Sequence, residues 1–197
     1  MTLPDFDEVL LKVRRGDERS YVTLWRFFNP PVLRYLRVLG ASNEVEDVAA
    51  DTWLDVVKGL DRFKGGETDF RAWIFTIARH RLFDLRRNHS RRPQTVTGDS
   101  GHERPDPGAG TSDLVESAAA TEVALALIAT LPPDQAEIVM LRVVAGLDVA
   151  AVAAIVGKKP GTVRVLAHRA LKRLAIDLQA NPSRPAIYRN DRGPGGA

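Results

Sequence analysis

Two short amphipathic segments joined by a tight turn constrain the fold of this chain more than any other feature. They occupy residues 147–174, LDVAAVAAIVGKKPGTVRVLAHRALKRL. Asp148 is a favourable helix N-cap, Gly157 is a stop signal, and Pro160 suits the start of the next helix. Apolar residues recur at helical spacing in both segments. The pattern predicts a helix-turn-helix, a motif whose second helix enters the major groove of DNA.

The second of these helices is strongly basic. Between Lys158 and Arg173 there are six lysines and arginines and no acid. Basic helices are common, so a helical hairpin with a solvated basic face remains an alternative for this stretch taken alone. The candidate DNA contacts are the polar and cationic residues of the turn and the second helix, namely Lys158, Lys159, Thr162, Arg164, His168, Arg169 and Lys172.

Composition and one unusual segment indicate how the chain is divided. Its 197 residues are 44% hydrophobic, and no segment alternates in the manner of a strand. Residues 93–121 are rich in Pro, Gly, Ser and Thr and carry five acids against one arginine. We therefore predict an all-α fold of two small helical domains, residues 1–92 and 122–179, joined by a flexible acidic linker at 93–121. Residues 180–197 are expected to form a disordered tail.

Several classes of protein are disfavoured by what the sequence lacks. The chain contains no cysteine, which excludes disulfides and thiolate metal sites. The N-terminus has no apolar core of the signal-peptide type, and no apolar run reaches transmembrane length, so we expect a cytoplasmic protein without membrane insertion. The four histidines show no metal-ligand spacing, and no nucleophile and base can be paired. We expect no enzyme activity, no cofactor and no metal.

An arginine-rich segment interleaved with aromatics closes the first predicted domain. It is FRAWIFTIARHRLFDLRRNHSRR, residues 70–92. Arginines neutralise phosphates, and aromatic rings stack on exposed bases. The alternative is that Trp73 and Phe83 belong to the core while the arginines solvate a helix end. We expect Trp73 in the core, but the density of arginine around Arg86 and Arg87 favours phosphate contact.

A predicted helix at residues 43–60 carries an unusual concentration of acids. Asp47, Asp51 and Asp55 are spaced four residues apart and are expected to share a face. Like charges so placed destabilise a helix, which suggests a functional reason for them. A docking face for a basic partner is favoured. A Mg²⁺ or Mn²⁺ site completed by other residues, or a merely solvated face, remains open.

Three motifs in this order resemble the extracytoplasmic-function (ECF) sigma factors of bacterial RNA polymerase. EDVAADTWLDVVKGLDRF is similar to the helix by which these factors bind the polymerase clamp, and FRAWIFTIARHRLFDLRR to their promoter-melting and −10 segment. Residues 131–174 resemble their −35-binding domain. The resemblance covers nearly the whole chain apart from the linker and the tail.

The resemblance implies a promoter-specificity factor that binds core RNA polymerase, recognises −35 and −10 elements of promoter DNA and helps to melt it. The polymerase would perform the chemistry, and the linker would thread a basic channel of the polymerase. An anti-sigma factor is an expected partner. The expected polymerase contacts are Asp47, Asp51 and Asp55. The expected contacts to the −10 strand are Lys64, Arg79, His80, Arg86 and Arg87.

Three positions depart from the pattern of the family. Ala50 stands where glutamine is common, His80 where asparagine is common, and Val165-Leu166 where many relatives have Ser-Arg. The last departure removes two polar contacts, so the −35 specificity of relatives does not transfer. The readout is expected to shift toward Lys158, Lys159, Thr162 and Arg169.

Two other functions compete with this interpretation. A DNA-binding repressor or activator with a helical sensor domain would share the helix-turn-helix but would need no acidic docking helix. A carboxylate-dependent nuclease is a more distant alternative. Co-purification with core polymerase, against binding to free duplex or metal-dependent cleavage of DNA, distinguishes the three.

Overall fold

The computed structural model describes residues 2–91 and 112–180. Both ranges are helical, without a strand in either, which confirms the predicted all-α fold. The N-terminal part comprises α1 (Phe6–Arg14), α2 (Glu18–Val38), a 3-10 turn (Ser42–Glu44), α3 (Val45–Gly59) and α4 (Glu67–Arg91). The C-terminal part comprises α5 (Ser112–Ala129), α6 (Pro133–Val139), a π-helical turn (Met140–Val144), α7 (Val149–Val156) and α8 (Pro160–Ala180).

Aromatic side chains form the core of the N-terminal part. The ring centroids of Phe28 and Phe70 are 4.9 Å apart in an edge-on arrangement, and Phe6 lies 5.5 Å from Phe70. Trp73 stacks on Phe63 at 5.1 Å and packs against the buried residues, so its expected core position is confirmed. Edge-on aromatic contacts add to the stabilisation that burial provides. The four helices are thereby held at fixed orientations, which fixes where α3 and α4 present their outer faces.

Helix α2 passes through a sequence that usually kinks or ends a helix. Pro30 and Pro31 lie inside it and supply no backbone N–H. Downstream of them, Val32 and Tyr35 are fully buried, so packing holds the helix beyond the prolines. The buried Asn29 side chain links α2 to α3, because its Oδ1 accepts a 3.0 Å hydrogen bond from the indole N–H of Trp53 on α3.

Replacing Asn29 by leucine is expected to destabilise the fold by about 1–3 kcal/mol, because the indole N–H of Trp53 would be left buried without an acceptor. Urea unfolding followed by circular dichroism measures this change in the free energy of unfolding. The matched control is Asn88→Leu at an exposed site, which should change it by less than about 0.5 kcal/mol. Equal effects of the two substitutions would contradict a structural role for the Asn29–Trp53 pair.

The predicted linker extends too far toward the C-terminus. Helix α5 begins at Ser112, whereas the linker was expected to extend to residue 121. The alanines that follow are strong helix formers, and acids near a helix N-terminus interact favourably with its dipole, so this stretch can extend the helix. Small and acidic residues are also typical of linkers, so composition alone does not distinguish helix from linker. The remainder of the predicted linker, residues 93–111, lies outside the described residues. Ala180, predicted as the first residue of the tail, is the last residue of α8, and the rest of the predicted tail, residues 181–197, also lies outside the described residues.

The two parts pack against each other and share one contiguous core. Helix α2 contacts α5 and the π-helical turn, and α4 contacts α7. Tyr35 of α2 and Ile138 of α6 are both fully buried in the same cluster. The arrangement is therefore closed, with the C-terminal part docked on α2 and α4.

Candidate polymerase and nucleic-acid interfaces

Helix α3 presents an exposed face that combines two carboxylates with apolar side chains. Asp47 and Asp51 are exposed one turn apart, and Leu54 follows them on the same side of the helix at 55% exposure. Val57 is also 50% exposed, but it lies about 80° from Asp47 and about 120° from Asp51 around the helix. We call Asp47, Asp51 and Leu54 the acidic-apolar face. A surface that is both charged and apolar suits a protein partner better than solvent.

Asp55 does not belong to this face. Each step of four residues rotates by about 40° around a helix, so Asp55 lies about 80° from Asp47. It turns toward α4, where its carboxylate accepts a 2.7 Å hydrogen bond from Nε of Arg81. This hydrogen bond raises the pKa of Arg81. The structure therefore brings two of the three expected acids together and uses the third to join α3 to α4.

The outer half of α4 exposes a second candidate surface. His80, Phe83 and Arg87 are exposed on one side of the helix, and the ring of Phe83 is 43% exposed. Two guanidinium groups flank this ring, that of Arg79 at 4.5 Å from its centroid and that of Arg86 at 5.5 Å. We call His80, Phe83, Arg86 and Arg87 the α4 outer face. An exposed aromatic among cations can stack on an unpaired base and neutralise its phosphate.

Two residues of this face also have partners within the protein. Arg86 donates to the carbonyl oxygen of Leu39, and Arg87 forms an ion pair with Asp84 at 2.6 Å. The Arg87 and Asp84 side chains are both more than half exposed, so the pair is weak and Arg87 can exchange it for a phosphate. Lys64 lies apart from this face, exposed in the connection between α3 and α4.

Arg79 occupies a different environment from the other expected −10 residues. Its Nε donates a 2.8 Å hydrogen bond to the carboxylate of Glu137 on α6, with side-chain exposures of 21% and 12%. The same carboxylate oxygen accepts a 2.9 Å hydrogen bond from the hydroxyl of Tyr35. Burial, and then the neighbouring Glu137 charge, raise the pKa of Tyr35 well above its usual value, so the hydroxyl keeps its proton. We call Tyr35, Arg79 and Glu137 the buried clasp, because it joins the two parts.

The helix-turn-helix forms as the sequence predicts. The carboxylate of Asp148 accepts a 2.7 Å hydrogen bond from the backbone N–H of Ala151 and caps α7. Gly157 ends α7 with φ of 68°, in the left-handed region that favours glycine. Helix α8 then begins at Pro160 and buries Val163 and Ala170 completely.

Most of the expected DNA contacts of α8 are free to reach a ligand. The exposed members are Lys159, Thr162, Arg164, His168, Arg169 and Lys172. Lys158 differs, because its ammonium forms a 2.9 Å ion pair with Asp134 at the start of α6. The Asp134 side chain is 61% exposed, so solvent screens the pair. The structure therefore exposes six of the seven residues, Lys159 just before α8 and five on it, and ties the seventh to α6.

The described residues contain neither an arrangement typical of a metal centre nor a helix long and apolar enough to cross a membrane. The acids of α3 in particular do not converge on one point, since they point in different directions around the helix. The hypothesis of a carboxylate-bound ion at α3 has no geometric support.

Family comparisons decide between the remaining interpretations. Residues 24–92 match the model of sigma-70 region 2, and residues 121–174 match that of sigma-70 region 4. The chain is also similar to the ECF RNA polymerase sigma factor ShbA of Streptomyces griseus, with 35% identity over 81% of this chain and 87% of that protein. The chain belongs to the ECF sigma factor family. It is a promoter-recognition factor that works with core RNA polymerase, and the repressor and nuclease alternatives are set aside.

A second relative agrees with this assignment, and two solved structures share the fold. ECF sigma factor SigD of Mycobacterium tuberculosis is 31% identical over 88% of this chain and 84% of its own length. The fold resembles that of RpoE from Bartonella quintana, solved with the anti-sigma factor NepR, with a TM-score of 0.62, 22% identity and coverage of 83% and 99% of the two chains. It also resembles CnrH, solved with the cytosolic domain of CnrY, with a TM-score of 0.58, 22% identity and coverage of 89% and 98%.

Sequence reasoning assigned no role to two exposed apolar residues of these surfaces, Leu54 and Val165, and left Phe83 between base stacking and the core. Leu54 lies between acids, Phe83 lies on an arginine-rich helix, and Val165 is 48% exposed on α8. A sequence reading assigns apolar residues to the core by default. The available signal was angular position, because Val165 lies about 160° around the helix from the buried Val163.

Proposed function

We propose that the acidic-apolar face of α3 binds core RNA polymerase. Asp47 and Asp51 supply charge for steering and orientation, and Leu54 supplies apolar area beside them. The observation that carries the proposal is that these three residues share one exposed surface of a helix whose opposite side is buried. Asp55 contributes indirectly, by fixing α3 against α4.

The α4 outer face is proposed to capture the opened −10 strand. Phe83 offers a ring on which an unpaired base can stack, and His80 can donate to or accept from a base edge. Arg86 and Arg87 lie one turn further along the helix and can neutralise phosphates. Lys64 can reach the same strand only from the loop that precedes α4.

Helix α8 is proposed to read the −35 element in the major groove. A helix-turn-helix inserts the N-terminal residues of its second helix, which here include Thr162 and Arg164, and Lys159 lies just before that helix. His168, Arg169 and Lys172 follow on later turns. Lys158 can join them once DNA phosphate replaces the exposed Asp134 as its partner.

The closed arrangement must open before both promoter elements are bound. The −35 and −10 elements are about 25 base pairs apart by their names, which is about 85 Å at about 3.4 Å per base pair. A compact chain of this size is only about 40 Å across. We therefore propose that the two parts are domains that separate on the promoter.

Partner, location and chemistry follow from this role. The RpoE and CnrH structures carry bound partners, in the first case an anti-sigma factor, and we propose that an anti-sigma factor also binds this chain. Binding to polymerase and promoter DNA would place the protein in the cytoplasm. The chain would itself catalyse no reaction, because strand opening needs binding energy, while nucleotide addition belongs to the polymerase.

Run-off transcription tests the proposed function. Core polymerase with this chain is expected to initiate at discrete sites on genomic fragments, whereas core polymerase alone is not. Mapping the start sites gives the −10 and −35 sequences. Binding of the chain to core polymerase without any specific start site would contradict the assignment of α4 and α8 to promoter elements.

Substitution of Phe83 or His80 by alanine is expected to reduce open complex while leaving polymerase binding and closed complex nearly unchanged. Stacking on one base is worth about 1–3 kcal/mol, and unpairing a base costs a few kcal/mol, so the loss of one contact to the unpaired strand is visible. Permanganate reactivity of unpaired thymines measures the opening.

A pre-melted bubble at the −10 region should largely rescue both variants, because it removes the cost of unpairing. The matched control is Trp25→Ala, which removes another aromatic that is 40% exposed on α2, away from the α4 outer face. Opening from duplex promoter at the parental level in both variants would show that α4 does not hold the strand through these two side chains.

A further inference from the structure

One apolar side chain lies on the outward side of the first turns of α8. Because Val163 and Ala170 are completely buried, the side of the helix opposite them is the one that meets a ligand. Gly161, Val165, His168 and Lys172 lie within about 40° of the middle of that side. Val165 is 48% exposed, and no other large apolar side chain in the first ten residues of α8 is exposed.

Cationic and polar groups surround this valine. Arg164 and Arg169 flank it on either side of the helix, and His168 and Lys172 lie one and two turns further on. All four are exposed. Phosphates drawn to Arg164 and Arg169, about 70° to either side of the middle, would leave the second turn of the outward side facing the edges of the bases. There Val165 would meet a base edge and not a phosphate.

Gly161 leaves free space on the same outward side of α8. A Cβ placed on Gly161 would meet no atom within 4 Å, so no contact within the protein requires a glycine there. One turn before Val165, its missing side chain lets the floor of the groove approach the helix closely. The first turn of the outward side is thus small, and the second carries a branched apolar group.

The chemistry of the major groove gives such a group one partner. Valine has neither donor nor acceptor in its side chain, so it cannot read the hydrogen-bonding pattern of a base pair. The single apolar group on a base edge in the major groove is the 5-methyl group of thymine. We propose that Val165 reads a thymine methyl in the −35 element and is a specificity-determining residue of this factor. The proposal rests on the proposed insertion of α8 into the −35 major groove.

The test uses the holoenzyme and a promoter mapped by run-off transcription. Its −35 segment is randomised in two duplex libraries, one with thymine and one in which deoxyuridine replaces every thymine of that segment. Bound sequences are selected with the parent chain, with Val165→Ala, and with Val165→Ile. The control is Val143→Ala, which shortens a valine that is 63% exposed on the π-helical turn.

The parent is expected to prefer thymine at one −35 position by about fourfold, the effect of burying about one methyl group. That preference should disappear in the deoxyuridine library and in Val165→Ala, and persist in Val165→Ile and Val143→Ala. Preferences at the other positions should remain in every case, because hydrogen bonds set them.

The role of Val165 is overturned if the same position is equally preferred when deoxyuridine replaces thymine, or if the thymine preference persists in Val165→Ala. Either result leaves −35 recognition by α8 intact. A selected −35 sequence without thymine at any position overturns the role of Val165 equally. If the parent holoenzyme selects no −35 sequence at all, the proposed function of α8 fails, and the role of Val165 fails with it. This last outcome is thus distinguishable from the others.

Discussion

Replacing Asp51 by lysine is expected to lower the affinity for core RNA polymerase at least about 100-fold while the helical fold is retained. Close charge pairs at protein interfaces couple by about 1.5–7 kcal/mol, and reversal turns attraction into repulsion, so a loss of about 3 kcal/mol or more is expected. The fold should not suffer, because Asp51 is exposed and its removal relieves repulsion with Asp47 one turn away. Fluorescence anisotropy with labelled chain and core polymerase measures the affinity.

Two variants on the same helix separate docking from structure. Glu46→Lys makes the same charge change at an exposed position about 140° around α3, and should leave the affinity within about threefold of the parent. Asp55→Lys should instead destabilise the fold, because it places a cation against Arg81. Equal affinity for polymerase in Asp51→Lys and the parent would remove α3 from the proposed interface.

Local signals in the sequence were sufficient for the helices and their ends. The N-cap at Asp148, the stop at Gly157 and the start at Pro160 all occur as predicted, because each depends on the backbone preferences of one or two residues. The one displaced boundary, at the start of α5, arose where composition and helix propensity disagreed. Alanine is a strong helix former, but it is also a small residue of the kind found in linkers.

The surfaces were less predictable than the helices. A spacing of four residues places Asp47 and Asp51 together, but the rotation that accumulates along the helix carries Asp55 to the α4 side. The sequence contains no signal for this, because the position of Arg81 opposite Asp55 depends on how α3 and α4 pack. Phe83 was ambiguous for the same reason, since burial is a property of the assembled bundle.

The packing of the two parts was beyond sequence reasoning altogether. Glu137 reads as one of several acids near a helix start, and Arg79 as one of many arginines on α4. Arg79 and Glu137 are 58 residues apart in the sequence, and only the tertiary fold brings them into contact. Arg79 is a predicted contact of the −10 strand, and in the closed arrangement it is held by Glu137 instead.

Replacing Glu137 by alanine is expected to weaken the closed arrangement by about 3 kcal/mol, a shift of more than about 100-fold toward the open one. Removing one partner of a buried ion pair leaves the other charge buried without compensation, which costs about 3–5 kcal/mol. Here Arg79, whose side chain is 21% exposed, would lose its carboxylate, and the fully buried Tyr35 hydroxyl would lose its acceptor. Separation of the parts would let water hydrate both groups.

Fluorescence energy transfer between dyes on the two parts measures the opening. The chain has no cysteine of its own, so single cysteines at the exposed positions Arg19 and Ala154 can be labelled selectively. Transfer in the alanine variant should be lost at lower urea concentration than in the parent, and before the helical signal in circular dichroism. The difference gives the change in the free energy of opening.

Glu122→Ala is the matched control, because it removes the other ion pair between the parts, a 3.6 Å contact between Arg37 and Glu122 whose side chains are about half exposed. Solvent screens that pair, so its loss should change the free energy of opening by less than about 1 kcal/mol.

If only the open form binds core polymerase and promoter, the apparent affinity should tighten in Glu137→Ala by the factor by which the open fraction rises. Identical behaviour of the two variants would mean that apolar packing, and not the buried clasp, holds the parts together. Weaker polymerase binding in Glu137→Ala would instead mean that the closed form is the one that polymerase recognises.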